Sequence, residues 1–80
     1  MIRGRVKGQI WSSKHVDKLP KGGYLEVEVE SGENIIAYDP LGCAVGEAVL
    51  VTQGSVAAGY FTEFKAPIDS LIIGSIDEKE

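Results

Sequence analysis

Cysteine, histidine and long apolar runs are scarce in this sequence of 80 residues, and each scarcity excludes a class of protein. The single cysteine, Cys43, permits no intramolecular disulfide. With His15 as the only histidine, the chain also lacks the ligand set of a structural zinc site. No uncharged run approaches the roughly 18 residues that span a bilayer. We therefore expect no metal, no cofactor and no membrane partner.

Basic residues are also in the minority, with 8 Lys and Arg against 12 Asp and Glu and a net charge of −4. Because phosphate neutralisation supplies most nucleic-acid affinity, this balance argues against a general nucleic-acid binder. Residues 1–10 alternate charged with apolar side chains, a pattern unlike that of a secretory signal. We therefore expect the protein to reside in the cytosol. A chain this short predicts one domain, residues 1–80, with a marginal core, for which oligomerisation is an ordinary remedy.

Five short segments have the residue pattern of β-strands. Residues 2–10 alternate apolar or glycine positions with charged or amide ones, and in residues 24–31 leucine and valine alternate with glutamate. Further strands are predicted at 34–39, 47–53 and 71–76, of which 47–53 is apolar on both faces. Together they predict an all-β fold, a small five-stranded OB-like β-barrel with at most one short helical turn.

Two segments between the strands are less regular. Residues 12–23 have no clean period and end in Pro-Lys-Gly-Gly, which predicts an exposed loop. In residues 54–65, Ser55 is a candidate cap for a short helical turn, whereas Gly59 and the aromatic residues favour a loop or one more strand. Lys65 and the acidic tail at 78–80 are expected to be solvated.

Glycine and charge patterns make two predictions about the first strand. Gly4 and Gly8 fall on its apolar face, where a missing side chain suits close approach of another backbone. Its cationic row faces the anionic row of the second strand if the two strands pair, or else both rows face neighbouring subunits. Trp11, at the end of the strand, is either a core residue or an interface anchor. The rows are Arg3, Arg5 and Lys7, and Glu26, Glu28 and Glu30.

The segment "DPLGCAVGEAVLV", residues 39–51, has features of a reactive loop. Gly42 and Gly46 lie between two strands, whereas phosphate-binding loops lead into a helix, so a glycine turn is favoured. A Cys43 nucleophile needs a nearby base, and the only imidazole is that of His15. The acids Asp39, Glu47, Asp69 and Asp77 stand at turns, strand starts or the tail rather than in an evident catalytic pair. We predict no catalytic residue.

Four blocks, in order, resemble the EutN/CcmL family of bacterial microcompartment vertex proteins. They are "GRVKGQIWSSK", "AYDPLGCAVGEAVLV" with its Gly-Ala-Gly-like turn and Gly-Glu pair, "GSVAA", and "APIDSLIIGSIDE". Two positions depart from the family pattern. Ala44 replaces the third residue of the turn, which narrows the choice of backbone angles, and Ala58 replaces an arginine capable of bidentate contacts.

The resemblance implies a non-enzymatic shell protein in the bacterial cytoplasm, assembled as a ring that closes the corners of a microcompartment. A pentamer is implied, with a hexamer left open, and hexagonal shell proteins are the implied partners. Candidate residues for subunit contacts or the lining of an axial opening are Ser12, Ser13, Lys14, His15, Gly42, Cys43, Ala44, Val45, Gly46, Glu47, Gly54 and Ser55.

Two alternatives come from the residues alone. A five-stranded barrel often binds single-stranded nucleic acid, with aromatic residues as stacking platforms and a basic stripe along the backbone. The candidates for this function are Trp11, Tyr60, Phe61 and Phe64, with Arg3, Arg5 and Lys7 as the stripe. An enzymatic function rests on Cys43 and His15 alone.

Overall fold

The computed structural model describes residues 1–61 and 66–77, so Phe64, Lys65 and the tail at 78–80 lie outside the described residues. Its elements are the strands β1 (Ile2–Ile10), β2 (Gly23–Val29), β3 (Asn34–Asp39), β4 (Ala48–Gln53) and β5 (Ser70–Ser75), with the helix α1 (Ser55–Ala58) after β4. The strands form a closed barrel in the order β1-β2-β3-β5-β4. Only the β3–β5 pair is parallel among these contacts. The predicted five-stranded OB-like barrel is confirmed.

The barrel is filled by the side chains that the alternating pattern directs inward. These buried residues are Val6, Leu25, Val27, Val29, Ala37, Cys43, Val49, Val51 and Ile72. Gly4 lies among them, and a Cβ atom there would sit 2.5 Å from Val27 Cγ1 and 3.0 Å from the Glu28 carbonyl oxygen. The predicted close approach of backbone at Gly4 is confirmed, because only glycine leaves room for β2 at this distance. The same prediction is wrong for Gly8, where a Cβ atom would meet nothing within 4 Å.

A β-bulge at Lys7 changes which face the end of β1 presents. Before it, Val6 is opposite Val27 in the core, whereas after it Ile10 is opposite Tyr24 on the outer face of β2. One extra residue inverts the alternation of a strand, because directly paired residues share a face. The prediction that all even positions of β1 share one face therefore holds up to the bulge and is wrong beyond it.

A second apolar cluster, here called the outer cluster, lies outside the barrel wall, against β2, β3 and β5. Its members are Tyr24, Tyr38, Ala57, Phe61, Ile68 and Leu71. The Tyr38 ring packs edge-on against Tyr24 and Phe61, with centroids 5.3 Å and 5.4 Å away. The hydroxyls of Tyr24 and Tyr38 donate to the Pro20 and Lys21 carbonyls at 2.6 Å and 2.8 Å. Burial raises the pKa of both tyrosines, so both hydroxyls stay neutral donors.

The preference for a loop or one more strand in residues 54–65 is wrong at Ser55–Ala58, which form the helix α1. Ser55 begins the helix, and the cap position is Gly54, which has a φ of 78° and makes no side-chain capping bond. Ser55 is therefore not the cap. Burial of Ala57 against the outer cluster stabilises this single turn, since so short a helix has little stability of its own.

Charged rows and Trp11 lie on the outside. Arg5 is opposite Glu28 in the β1–β2 ladder, and the Lys7 ammonium lies 3.7 Å from the same carboxylate. The Arg5 guanidinium also donates to the Gly46 carbonyl at 2.8 Å. The two rows therefore meet at Glu28, through Arg5 and Lys7, and exposed ion pairs of this kind add little stability. The Trp11 side chain is 83% exposed, which excludes a place in the core.

Candidate subunit-contact surfaces

The loop between β3 and β4, residues 40–47 and here called the β3–β4 loop, is organised around one buried carboxylate. Asp39 Oδ1 accepts the backbone N–H groups of Leu41 at 2.9 Å and Gly42 at 3.2 Å, and Oδ2 accepts that of Cys43 at 2.7 Å. Aspartate forms such turns because its short side chain reaches N–H groups a few residues ahead. Asp39 therefore fixes the first half of the loop.

A second carboxylate and the backbone of β1 hold the other half of the loop. Glu47 accepts the Ala44 N–H at 3.0 Å and the Ser75 hydroxyl at 2.8 Å. The hydrogen bond from Ala44, followed by that from Ser75, lowers the pKa of Glu47. The Gly46 N–H donates to the Val6 carbonyl at 2.8 Å, and the Val6 N–H donates to the Glu47 carbonyl at 3.0 Å. The predicted glycine turn between the two strands is confirmed, and it lies against the backbone of β1.

Glycine is required at Gly42 and Gly46 of the β3–β4 loop. It is not required at the third position of the Gly-Ala-Gly-like turn, where this chain has Ala44. Gly42 and Gly46 have φ values of 81° and 94°, in the left-handed region that favours glycine. Within the described part of the chain, no residue other than glycine has a positive φ, so Ala44 adopts ordinary angles. The methyl group that departs from the family turn is therefore accommodated without backbone strain.

Cys43 is packed into the barrel core, and its surroundings are those of an unreactive thiol. Burial raises its pKa to about 11, and the negative charges of Asp39 and Glu47 add to the effect. His15 is exposed on the loop between β1 and β2, residues 11–22 and here called the β1–β2 loop, where its Nδ1 lies 3.1 Å from the Val16 carbonyl oxygen. A nucleophile needs a lowered pKa and a nearby base, so the structure gives the enzymatic alternative no support.

The buried thiol predicts slow alkylation. At pH 8 we expect iodoacetamide to modify Cys43 in the folded protein roughly a hundredfold more slowly than in urea, because little thiolate is present. Mass spectrometry of timed samples measures the two rates. Cys43→Ala should still fold, with about 1 kcal/mol less stability. Equal alkylation rates in the folded and unfolded protein would contradict the buried position.

An apolar depression of about 580 Å³, here called the outer groove, lies outside the barrel between the β1–β2 loop and the segment before β5. Its apolar lining includes Ile10, Trp11, Pro20, Tyr24, Ile36 and Ile68. The Ile36 side chain is 55% exposed although it lies in a regular strand. Large apolar side chains around a concavity are typical of interaction surfaces.

The predicted contact residues fall into two separate regions. Ser12 and His15 line the outer groove, while Gly54 and Ser55 line an adjoining hollow that shares residues 67–69 with it. Ser13 and Lys14 are exposed beside Ser12. The predicted residues Gly42, Cys43, Ala44, Val45, Gly46 and Glu47 belong to the β3–β4 loop and line neither depression. The structure thus places two distinct candidate surfaces on one subunit.

Ile36 and Ile68 are groove residues that the sequence reasoning missed. A signal for Ile36 was present, because in a half-buried strand the consecutive Ile35 and Ile36 must point to opposite faces. One of the two isoleucines therefore had to lie outside the barrel. Ile68 carries no such signal, because it precedes its strand and meets the groove only through the tertiary fold.

The described residues, 1–61 and 66–77, bear on three other kinds of site: a metal site, a membrane span and a base-stacking surface. This part of the chain contains no group of three or more metal-ligating side chains and no helix long and apolar enough to cross a membrane. Tyr60 and Phe61 pack against each other, with centroids 5.1 Å apart, and both contact the Tyr38 ring. Of these two proposed stacking platforms, Phe61 belongs to the outer cluster, whereas Tyr60 is 49% exposed.

Known proteins share this architecture. The model of the family described as "Ethanolamine utilisation protein EutN/carboxysome" matches residues 1–77. The carboxysome shell vertex protein CcmL of Gloeobacter violaceus is 31% identical over 80 aligned residues, which cover 92% of this chain and 80% of that protein.

Solved structures of related proteins superpose closely on this chain. The pentameric shell protein MSM0273 from the RMM microcompartment superposes with a TM-score of 0.92 at 54% identity, covering 96% of this chain and 91% of that one. The ethanolamine utilization protein EutN from Escherichia coli superposes with a TM-score of 0.85 at 30% identity, covering 100% and 89%. Because the family match extends over almost all of its length, this chain belongs to the EutN/CcmL family and is a structural shell protein rather than an enzyme.

Proposed function

We propose that this chain assembles into a closed pentameric ring that occupies the fivefold corners of a bacterial microcompartment shell and contacts its hexagonal shell proteins. A flat hexagonal layer closes only where fivefold units are inserted, and head-to-tail contacts between identical chains generate such rings. The observation that carries the proposal is a subunit with large exposed apolar side chains that superposes closely on a pentameric shell protein.

Nine large apolar side chains are exposed on the described part of the subunit. They are Met1, Trp11, Val16, Ile36, Leu41, Val45, Val56, Tyr60 and Ile73. A small domain also gains stability when its flanks are covered by neighbours. Ring formation covers those of these side chains that lie at the subunit contacts, and it adds the stability that a small core lacks.

The predicted contact residues beside the outer groove and its adjoining hollow, and those of the β3–β4 loop, remain candidates for the ring contacts or for the lining of an axial opening. The exposed Ser12, Ser13, Lys14 and His15 border the outer groove, and Gly54 and Ser55 border the adjoining hollow. Ala58, where the family pattern has arginine, is only 6% exposed. This position therefore contributes no long side chain to a neighbouring subunit, and the contact must depend on other residues.

Ring formation can be tested by counting subunits. We expect native mass spectrometry at micromolar concentration and neutral pH to show five copies. The emission of Trp11 should shift to shorter wavelength and become less sensitive to acrylamide as the rings form from diluted subunits, because the exposed indole is then covered. A monomer under these conditions would contradict the proposal, and a six-membered ring would contradict the pentamer.

A further inference from the structure

We propose that the β3–β4 loop of one subunit inserts Leu41 and Val45 into the outer groove of the next subunit. This inference rests on the proposed function, because it assigns the two surfaces that meet in the ring. The contact joins an exposed apolar loop to an apolar groove, and both surfaces belong to the same chain. A second copy of this chain is therefore the occupant of the groove.

The loop presents apolar side chains on a rigid support. Leu41 and Val45 are 55% and 62% exposed. The flanking Asp39 and Glu47 carboxylates are directed at backbone N–H groups and the Ser75 hydroxyl, and residues 40–46 contain no charged side chain. A loop held in one conformation loses little entropy on binding, which favours its use as an insert.

The outer groove is lined mainly by apolar side chains, and Lys21 and Asp69 are its charged members. Trp11 and Ile36 are its most exposed large apolar side chains, and the bulge in β1 turns Ile10 toward the same surface. The Tyr24 and Tyr38 hydroxyls fasten its wall to the β1–β2 loop. A volume of about 580 Å³ lies within the usual range of pockets for small ligands, roughly 300–1,000 Å³, and accommodates two aliphatic side chains.

Ring symmetry favours contact between two different surfaces. If groove met groove, the contact would be isologous and would close at two subunits, whereas a pentamer needs a head-to-tail contact. No residue lines the groove and also belongs to the β3–β4 loop, so one subunit can use both surfaces at once.

A charge pair across the contact tests the proposal. Ile36→Lys and Val45→Glu should each weaken the ring at least tenfold, because each places a charge in an apolar contact. The double variant should recover most of the rings, since lysine and glutamate then face each other across the boundary. Ile36 is opposite Glu26 on β2, so the lysine is compatible with the subunit fold.

Val16→Glu is the matched control, because Val16 is 65% exposed and lies outside the groove lining, and its rings should be unchanged. Native mass spectrometry gives the ring fraction, and circular dichroism confirms that each variant is folded. A wild-type monomer would overturn the proposed function itself. If the wild-type protein and both single variants all form rings, only the loop-in-groove contact is overturned. The same holds if the single variants are folded but lose their rings and the double variant does not recover them.

Discussion

Replacement of Asp39 by alanine is expected to lower the free energy of unfolding by about 3 kcal/mol, because three backbone N–H groups lose a charged acceptor at once. The N–H of Cys43 makes the shortest of these bonds and lies in the buried part of the loop. Without the carboxylate, the buried N–H of Cys43 loses its acceptor. The expected effect is therefore large for a single side chain.

Urea unfolding followed by far-ultraviolet circular dichroism measures the change in stability. All variants are compared at one protein concentration, because ring formation makes the apparent stability depend on concentration. Asp39→Asn is the matched control: it keeps one acceptor oxygen but not two, so its loss should be intermediate. A loss below about 0.5 kcal/mol in the alanine variant would show that the three hydrogen bonds do not hold the loop.

Gly4→Ala should destabilise the barrel by about 2 kcal/mol, although it adds only one methyl group. The new Cβ atom would lie 2.5 Å from Val27 Cγ1 and 3.0 Å from the Glu28 carbonyl oxygen. Val27 is fully buried, and the carbonyl belongs to the β1–β2 ladder, so neither can move aside cheaply. The strands must separate locally, and hydrogen bonding and core packing are weakened together.

Gly8→Ala is the matched control in the same strand. A Cβ atom at Gly8 would have no atom of another element within 4 Å. The alanine also restricts the unfolded chain more than glycine does, so the variant should be neutral or more stable by about 0.5 kcal/mol. Thermal unfolding of the two variants under identical conditions compares them directly. Equal destabilisation at both positions would contradict the close approach at Gly4.

Local patterns predicted the features that depend on neighbours along the chain. The alternation in β2 and the proline after Asp39 define where those strands run and end, because strand periodicity and the missing proline N–H act within a few residues. The turn chemistry of Asp39, Gly42 and Gly46 is local in the same sense. The order of the four blocks was sufficient to indicate the family, which the comparisons confirmed.

The interaction surfaces were only partly predictable. The glycines and acids of the β3–β4 loop indicated a tight turn, but the exposure of Leu41 and Val45 depends on Cys43 packing inward. The outer groove needs residues from β1, β2, β3 and the segment before β5 to meet. No spacing in the sequence reveals such a meeting, because these residues are brought together by closure of the barrel.

The bulge in β1 shows most clearly where the linear pattern ends and the tertiary structure takes over. Alternation specified a strand over residues 2–10 and its inward face up to Val6. One strand then had to pair with both β2 and β4, as Arg5 does with Glu28 and Ala48. A closed barrel requires such a strand to bend, and the extra residue that bends it also turns Ile10 outward. That choice is made by packing across the barrel, which no single strand encodes.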